Sequence, residues 1–402
     1  MHLTQLAARL DNIAPFHVME LAKMAAELER QGHHIIHMGI GEPDFTAPPS
    51  VVAAATQAMA DGKMQYTSAT GLPELRAAIA AHYLDVYGVA VAPARIIVTA
   101  GASGALLLAC AALVEKGAQV LMSDPSYPCN RHFVAAFDGQ AQMIASGPEH
   151  RFQLSADMVR DNWSEQTRGV LLASPSNPTG TSIDEDELSK IVAFVREKQG
   201  FTIVDEIYHG LRYDAAPFSA LSLGDDVIVI NSFSKYFNMT GWRLGWLVVP
   251  DALVQPIEKL AQNLFICASS IAQHAGLACF APEAMAVYEA RKAEFKRRRD
   301  YIVPALEGLG FKVPVMPDGA FYVYADCSAL SDDADRLTID MLNEAGVVMV
   351  PGLDFGPSTA RQYVRISYAT SMENLQEAVA RLRVFFARRL PADQADAGAS
   401  GK

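Results

Sequence analysis

Between Ala94 and Ile230 five short apolar runs alternate with stretches of helical periodicity: Ile96-Ile97-Val98, Val120-Leu121-Met122, Val170-Leu171-Leu172, Thr202-Ile203-Val204 and Val227-Ile228-Val229-Ile230. A strand that is apolar on both faces must be covered on both, and a helix between successive strands forces those strands to run parallel. The pattern therefore predicts an α/β fold with a mainly parallel sheet flanked by helices. Polar and glycine residues cluster just after the carboxyl end of each run, where open α/β sheets hold their ligands.

The flanking segments extend this plan. Phe16 to Arg30 puts Val18, Leu21, Ala22, Ala25 and Leu28 on one helical face, and Gly32 follows as a stop. A long helix carrying Lys296-Arg297-Arg298-Arg299, expected as a solvated face, leads into a second α/β unit from about Phe311 to Leu390. Ala392 to Lys402 is small and polar and is expected to fray. No internal repeat is visible.

Charge narrows the partners. With 33 basic and 45 acidic residues the net charge is −12, which disfavours nucleic acid and anionic membranes and leaves small metabolites. Cysteines 110, 129, 267, 279 and 327 form no Cys-x-x-Cys pair, so neither a disulfide framework nor a zinc site is expected, and a reducing compartment fits. Met1 to Asp11 lacks the marks of an export signal, and the apolar stretch Ala100 to Val114 stops at Glu115-Lys116, short of a membrane span. A cytoplasmic protein is expected. His33, His34 and His37 cluster at a helix end and a strand start without a carboxylate companion, so no metal is expected there.

The strand ends carry the chemistry. Lys235 stands in Asn231-Ser232-Phe233-Ser234-Lys235, eight residues before Arg243. Its amine can form an imine with an aldehyde, while the two serines and the arginine can hold a phosphate. Pyridoxal 5'-phosphate has both groups. Thr99-Ala100-Gly101-Ala102-Ser103-Gly104 opens a helix, whose first amides and positive dipole suit a phosphate. Tyr127, in Asp124-Pro125-Ser126-Tyr127-Pro128, can stack on a flat ring or be an ordinary rim aromatic. Asn177, between Pro175 and Pro178, can donate to a phenolate oxygen, although turn chemistry also selects asparagine. Asp205 ends an apolar run and needs a cation or hydrogen bonds to stay ionised; a protonated pyridine would serve, with Tyr208 close enough to reach the neighbouring ring oxygen. Arg365 lies in the alternating run Tyr363 to Tyr368, where its partner is either a bidentate carboxylate or a structural ion pair. Arg212 reads as a surface residue.

Together these motifs resemble the class I and II aminotransferases, fold-type I enzymes that use pyridoxal phosphate, and are most similar to the branch containing bacterial and thermophilic aspartate aminotransferases. The likeness runs from Ile40-Gly41-Glu42-Pro43-Asp44-Phe45 to Val364-Arg365-Ile366-Ser367-Tyr368-Ala369-Thr370. It implies an N-terminal arm and helix (1–45) contributing to the smaller domain, a large cofactor domain (46–290), a C-terminal small domain (291–390) and a tail (391–402). It implies that Lys235 binds the cofactor and shuttles the proton, that Asp205 pairs with the pyridinium, and that Asn177 and Tyr208 donate to the ring oxygen. Gly101, Ala102, Ser103, Ser232, Ser234 and Arg243 would hold the phosphate and Tyr127 would stack on the ring. Gly41, Asn177 and Arg365 would surround the substrate α-carboxylate, and Tyr66 would reach the phosphate of a neighbouring subunit in a homodimer with shared sites.

The activity so implied is transfer of an amino group from an L-amino acid to a 2-oxo acid by a ping-pong route; a carbon–sulfur β-lyase or another fold-type I enzyme acting on an amino acid is the alternative. A transcription regulator built on this fold needs a DNA-binding module, for which the stretch before Phe16 leaves no room. No second arginine dedicated to a side-chain carboxylate stands out. The apolar start Pro15-Phe16-His17-Val18 points instead toward neutral or aromatic side chains.

Overall fold

The computed structural model describes residues 6–15 and 17–389; Phe16 and the tail from 391 lie outside the described residues. After β1 (Ile36–His37) the chain forms β2 (Ile96–Thr99), β3 (Gln119–Asp124), β4 (Gln140–Ala145), β5 (Thr167–Ala173), β6 (Phe201–Asp205), β7 (Ile228–Ser232) and β8 (Gly245–Val248). These seven make one sheet in the order β2-β8-β7-β6-β5-β3-β4. All neighbours are parallel except where β8 runs antiparallel to β2 and β7. The five apolar runs are β2, β3, β5, β6 and β7.

Their side chains alternate between two cores. Val98, Leu121, Val170, Leu172, Val204 and Val229 enter one apolar cluster, while Ile97, Val120, Met122, Leu171, Ile203 and Ile228 enter the other. Burial on both faces is why these strands lack the polar alternation of a half-exposed sheet. Strand β4 went unpredicted for the converse reason: at the edge it is mostly half-buried, and its sequence Gln-Ala-Gln-Met-Ile-Ala is not an apolar run.

A second unit follows. Strands β9 (Tyr322–Asp326), β10 (Val347–Val348), β11 (Val350–Pro351) and β12 (Tyr363–Ser367) complete the strand set. The order β11-β12-β9 forms an antiparallel sheet, and β10 pairs in parallel with β1, so the segment after the first helix joins the C-terminal unit. That first helix, His17–Arg30, buries Leu21 and Ala25 as its periodicity predicts. Its start is fixed by Asp354, whose carboxylate accepts from the amides of His17 and Val18 at 2.9 and 2.8 Å.

Two expectations about charge are corrected. Of the run 296–299 on the helix Pro282–Glu307, Lys296 and Arg297 face solvent, but Arg298 and Arg299 are buried. Four consecutive helical residues point around the whole circumference, so a helix packed between two units must bury some of them. Arg298 donates to Asp44 at 2.8 Å and Glu294 at 2.9 Å; Arg299 reaches the Pro317 carbonyl at 3.1 Å and Asp214 at 3.2 Å. His37 does have a carboxylate companion, Glu29, at 2.9 Å, one helix away in space.

Gly245 sets how closely β8 meets the helix Gly101–Leu113. A Cβ there would lie 2.7 Å from the Gly101 carbonyl carbon, 2.8 Å from the Ala102 nitrogen and 2.9 Å from the Asn231 carbonyl oxygen. All three are backbone atoms, so a methyl group must displace the helix start or the strand. Gly245→Ala should destabilise the fold by about 1–3 kcal/mol, the usual range for overpacking. Urea unfolding of the two proteins measures this, and equal midpoints would refute the close-approach argument.

Candidate active site

At the carboxyl ends of the parallel strands lies a cavity of about 450 Å³. Five of the strands, β2, β3, β5, β6 and β7, deliver a part. Ala102 and Ser103 come from the helix start after β2, Tyr127 follows β3, Asn177 follows β5, Asp205 ends β6, and Ser234 and Lys235 follow β7. Gly41 enters after β1, and Arg365 from the centre of β12. Residues far apart in sequence thus share one wall, as strand polarity requires.

Lys235 is partly exposed to this cavity, and its Nζ donates to the Gly41 carbonyl. The ammonium also lies 5.7 Å from the Tyr208 ring centre and 5.9 Å from that of Phe321. Burial holds it down to about 8; Glu42 pulls it up, and Arg365 and Arg243 press it further down. Asp205 is buried, and its Oδ1 accepts from the Ile207 amide at 3.0 Å. Burial pushes this acid up to about 7, with the Ile207 amide and Lys235 opposing and Glu206 adding.

The neighbouring carboxylates make an instructive contrast. Glu206, equally buried, is satisfied inside the protein: Ser219 donates at 2.9 Å, the Ala220 amide at 2.7 Å, and His209 Nδ1 lies at 3.1 Å. Asp205 faces the cavity with a single backbone donor. A buried acid so placed is built for a partner that arrives from the cavity.

One end of the cavity suits a dianion. Gly101 has φ +72°, and a Cβ there would fall 2.6 Å from Arg243 Nη2, so glycine lets the guanidinium lie against the helix start. Arg243 Nη1 donates to the Thr240 carbonyl at 3.0 Å. Ser103 and Ser234 line the cavity. Ser232 does not; it stands behind Ser234 and donates to its hydroxyl at 2.9 Å.

Arg365 is the most telling charge. It is buried, yet among the described residues no carboxylate pairs with it. Nη1 donates to Asn177 Oδ1 at 2.9 Å, Nη2 to the Gly39 carbonyl at 2.5 Å, and Nε is buried without a partner. The rings of Tyr322 and Phe355 flank the guanidinium, their centres 4.7 and 4.9 Å away. The structural ion pair left open by the sequence is not formed.

Several residues escaped sequence reasoning. Tyr322, buried in an apolar strand, places its hydroxyl 2.8 Å from that of Tyr208. Glu42 accepts from Thr240 at the cavity, and Met19 and Ala22 join Val18 and Ile40, whose segments the sequence had marked as pocket-shaping, in an apolar wall. Asp44, within the motif after β1, could have been read as the anchor of that segment, but its partner Arg298 is 254 residues away. Tyr66 is not brought to this cavity and is 79% exposed. Arg212 is corrected: its side chain is only 12% exposed, facing Glu185 at 3.9 Å, because the turn after Tyr208 folds inward. Among the described residues no group of three potential metal ligands converges, and no helix is long and apolar enough to cross a membrane.

A sheet with its ligand cavity at the carboxyl edge, an amine and an under-satisfied buried acid lining it, and an arginine laid against a helix start define an α/β enzyme suited to an aldehyde cofactor. Residues 33–382 match the family described as aminotransferase class I and II, and the chain belongs to that family. It is 38% identical over 382 residues to the valine–pyruvate aminotransferase of Mycobacterium tuberculosis, covering 94% of this chain and 98% of that one. An aminotransferase structure from the same organism superposes with TM-score 0.92 at 37% identity, covering 96% and 100% of the two chains. The Thermus thermophilus aspartate aminotransferase with maleate gives TM-score 0.90 at 33% identity over 96% and 100%. The protein is thus a fold-type I aminotransferase, and its cofactor is pyridoxal phosphate. The residues present fit that group: the Gly101–Arg243 cradle, the under-satisfied Asp205 and the accessible amine of Lys235 are what it requires.

Two measurements follow from these charges. In protein stripped of cofactor, the neutral amine of Lys235 predominates above about pH 8. Capture of a simple aldehyde at Lys235, fixed by borohydride and quantified by mass, should therefore rise with pH through a midpoint near 8; a midpoint near 10 refutes the argument. Asp205, raised to about 7, binds more protons folded than unfolded, so its ionisation removes stability as pH rises from about 4 through 7. Asp205→Asn should make the stripped protein more stable at pH 8, by on the order of 1 kcal/mol or more, while weakening cofactor retention. Thermal unfolding and dialysis test both halves; a less stable variant would contradict the sign.

Proposed function

We propose that this chain transfers amino groups from neutral, apolar L-amino acids to small 2-oxo acids, by two half-reactions over one site. The observation that carries the reading is Arg365: a buried guanidinium with two neutral partners and an orphan N–H, aimed into the cavity that holds Lys235. A substrate α-carboxylate completes it. The apolar preference rests on Val18, Met19, Ala22 and Ile40, and on the cations that line the cavity among the described residues: Lys235, Arg243 and Arg365. With Arg243 engaged at the phosphate end and Arg365 at the α-carboxylate, none is left for a second carboxylate. The likeness to a relative named for valine and pyruvate agrees with this. The carbon–sulfur lyase alternative has no comparable support.

Pyridoxal phosphate, when bound, supplies the aldehyde that takes up the amino group and a ring that draws off the electrons of the α-carbon–hydrogen bond. Lys235, its amine neutral in part near pH 8, takes the α-proton and returns it. Asp205 holds the ring nitrogen protonated. Asn177 Oδ1 already accepts from Arg365, which leaves its amide N–H groups to donate, beside Tyr208, to the ring oxygen. Tyr127 stacks on the ring. The helix start at Gly101, Ala102 and Ser103, together with Ser234 and Arg243, holds the phosphate, with Ser232 orienting Ser234. Gly41 gives the substrate room beside Tyr322.

Exposed Tyr66 is assigned to the phosphate of a partner site in a homodimer. The assignment of the N-terminal arm (1–45) to the smaller domain is supported by the pairing of β1 with β10. A cytoplasmic location accords with five unpaired cysteines.

A panel of amino donors against pyruvate and 2-oxoglutarate, read as kcat/KM, tests the substrate class. Valine- or leucine-like donors should exceed aspartate by about tenfold or more, the scale of a well-fitted apolar pocket. Aspartate as best donor would sink the reading. Lys235→Ala should lower turnover by about 10³-fold or more, since it removes both the covalent anchor and the proton carrier. Single-turnover absorbance follows this directly.

A further inference from the structure

Tyr322 touches three parts of this site. Its phenol is fully buried, and its Oη lies 2.8 Å from Tyr208 Oη with the two rings edge to face. Its ring carries the Arg365 guanidinium 4.7 Å from the centre. A Cβ at position 41 would fall 2.8 Å from the same hydroxyl, so Tyr322 also requires the glycine beside the substrate.

We infer that Tyr322 is a positioning residue that couples the carboxylate-binding Arg365 to the hydrogen-bond donor Tyr208. The inference rests on the roles proposed for those two residues. The proton count sets its direction. A phenol has one proton; with that of Tyr208 aimed at the cofactor's ring oxygen, the 2.8 Å contact is made by the proton of Tyr322, which donates to Tyr208 Oη. Receiving a hydrogen bond strengthens Tyr208 as a donor, and a cation over the ring strengthens Tyr322 in turn.

Arg365 acts on both phenols, opposing the upward push of burial on each. The other charged or titratable groups around the pair are Tyr127 after β3, Asp205 at the end of β6, Lys235 after β7 and Glu42 after β1. When a substrate carboxylate neutralises Arg365, the chain through Tyr322 weakens, and the ring oxygen loses part of its stabilisation. Asn177, bonded to the same guanidinium at 2.9 Å, offers a parallel route. Removing Tyr322's hydroxyl should therefore diminish the coupling without abolishing it.

The visible chromophore that Lys235 forms with the cofactor reports this without turnover. Each donor to the ring oxygen draws charge away from the proton-binding nitrogen beside it, so losing a donor raises the pH at which the colour changes. Wild-type holoenzyme, Tyr322→Phe and Tyr208→Phe are titrated by absorbance from about pH 5 to about pH 10, with and without saturating 3-methylbutanoate, a carboxylate that lacks the amine. In Tyr322→Phe the midpoint should rise by roughly half a unit to one unit, the worth of one hydrogen bond, with cofactor content unchanged. The further rise induced by the carboxylate should fall to less than about half its wild-type size, Asn177 carrying the rest.

A Tyr322→Phe protein that titrates as wild type in both conditions overturns the inference, as does one that loses cofactor or stability with no change of midpoint. A wild-type midpoint unmoved by the carboxylate overturns it too. If Tyr208→Phe also titrates as wild type, the donor role of Tyr208 itself has failed. Colour absent from the wild type would mark failure of the Lys235 assignment.

Discussion

Strands covered on both faces leave polar groups only their ends, and this constraint organises the molecule. In β5, β6 and β7 the central residues feed two apolar clusters, and the chain turns polar where each strand stops. Because the strands are parallel, those ends lie side by side. Asn177, Asp205 and Lys235, spread over almost sixty positions, meet at one cavity for that reason.

The cavity is costly in the way catalytic sites are. Asp205 and Arg365 are buried charges whose protein partners are too few, and Lys235 is held below its ordinary range by burial. Apolar replacements at such positions commonly leave a protein no less stable. Glu206, fully partnered one residue from Asp205, shows that this chain satisfies a buried carboxylate where only structure is at stake. The under-satisfied groups form a set: an amine, an acid and a guanidinium that line one cavity.

How much of this was legible depended on whether a residue's meaning was local. Lys235 was readable because two serines precede it and Arg243 follows eight residues on; Asp205 and Arg365 were readable because a charge inside an apolar run demands a reason. Tyr322 gave no such signal: an aromatic in an apolar strand is ordinary, and its partner Tyr208 is 114 residues away. Arg298 and Arg299 misled for a related cause. A run of basic residues looks solvated until the helix bearing them is packed against Asp44 and Asp214, which periodicity alone does not place. Arg212 and His37 were misjudged likewise, through Glu185 and Glu29, partners brought near only by folding.

From the chain alone came the parallel α/β plan, the amine, the acid and the arginine inside an apolar strand, since apolar periodicity and an out-of-place charge are properties of consecutive residues. Tertiary structure decided that Arg365 has no internal counter-ion, that an N-terminal helix pinned by Asp354 walls the pocket with Val18, Met19 and Ala22, and that Tyr322 joins two halves of the site. Those are facts about which groups fail to meet or happen to meet across hundreds of positions. Only packing can settle them.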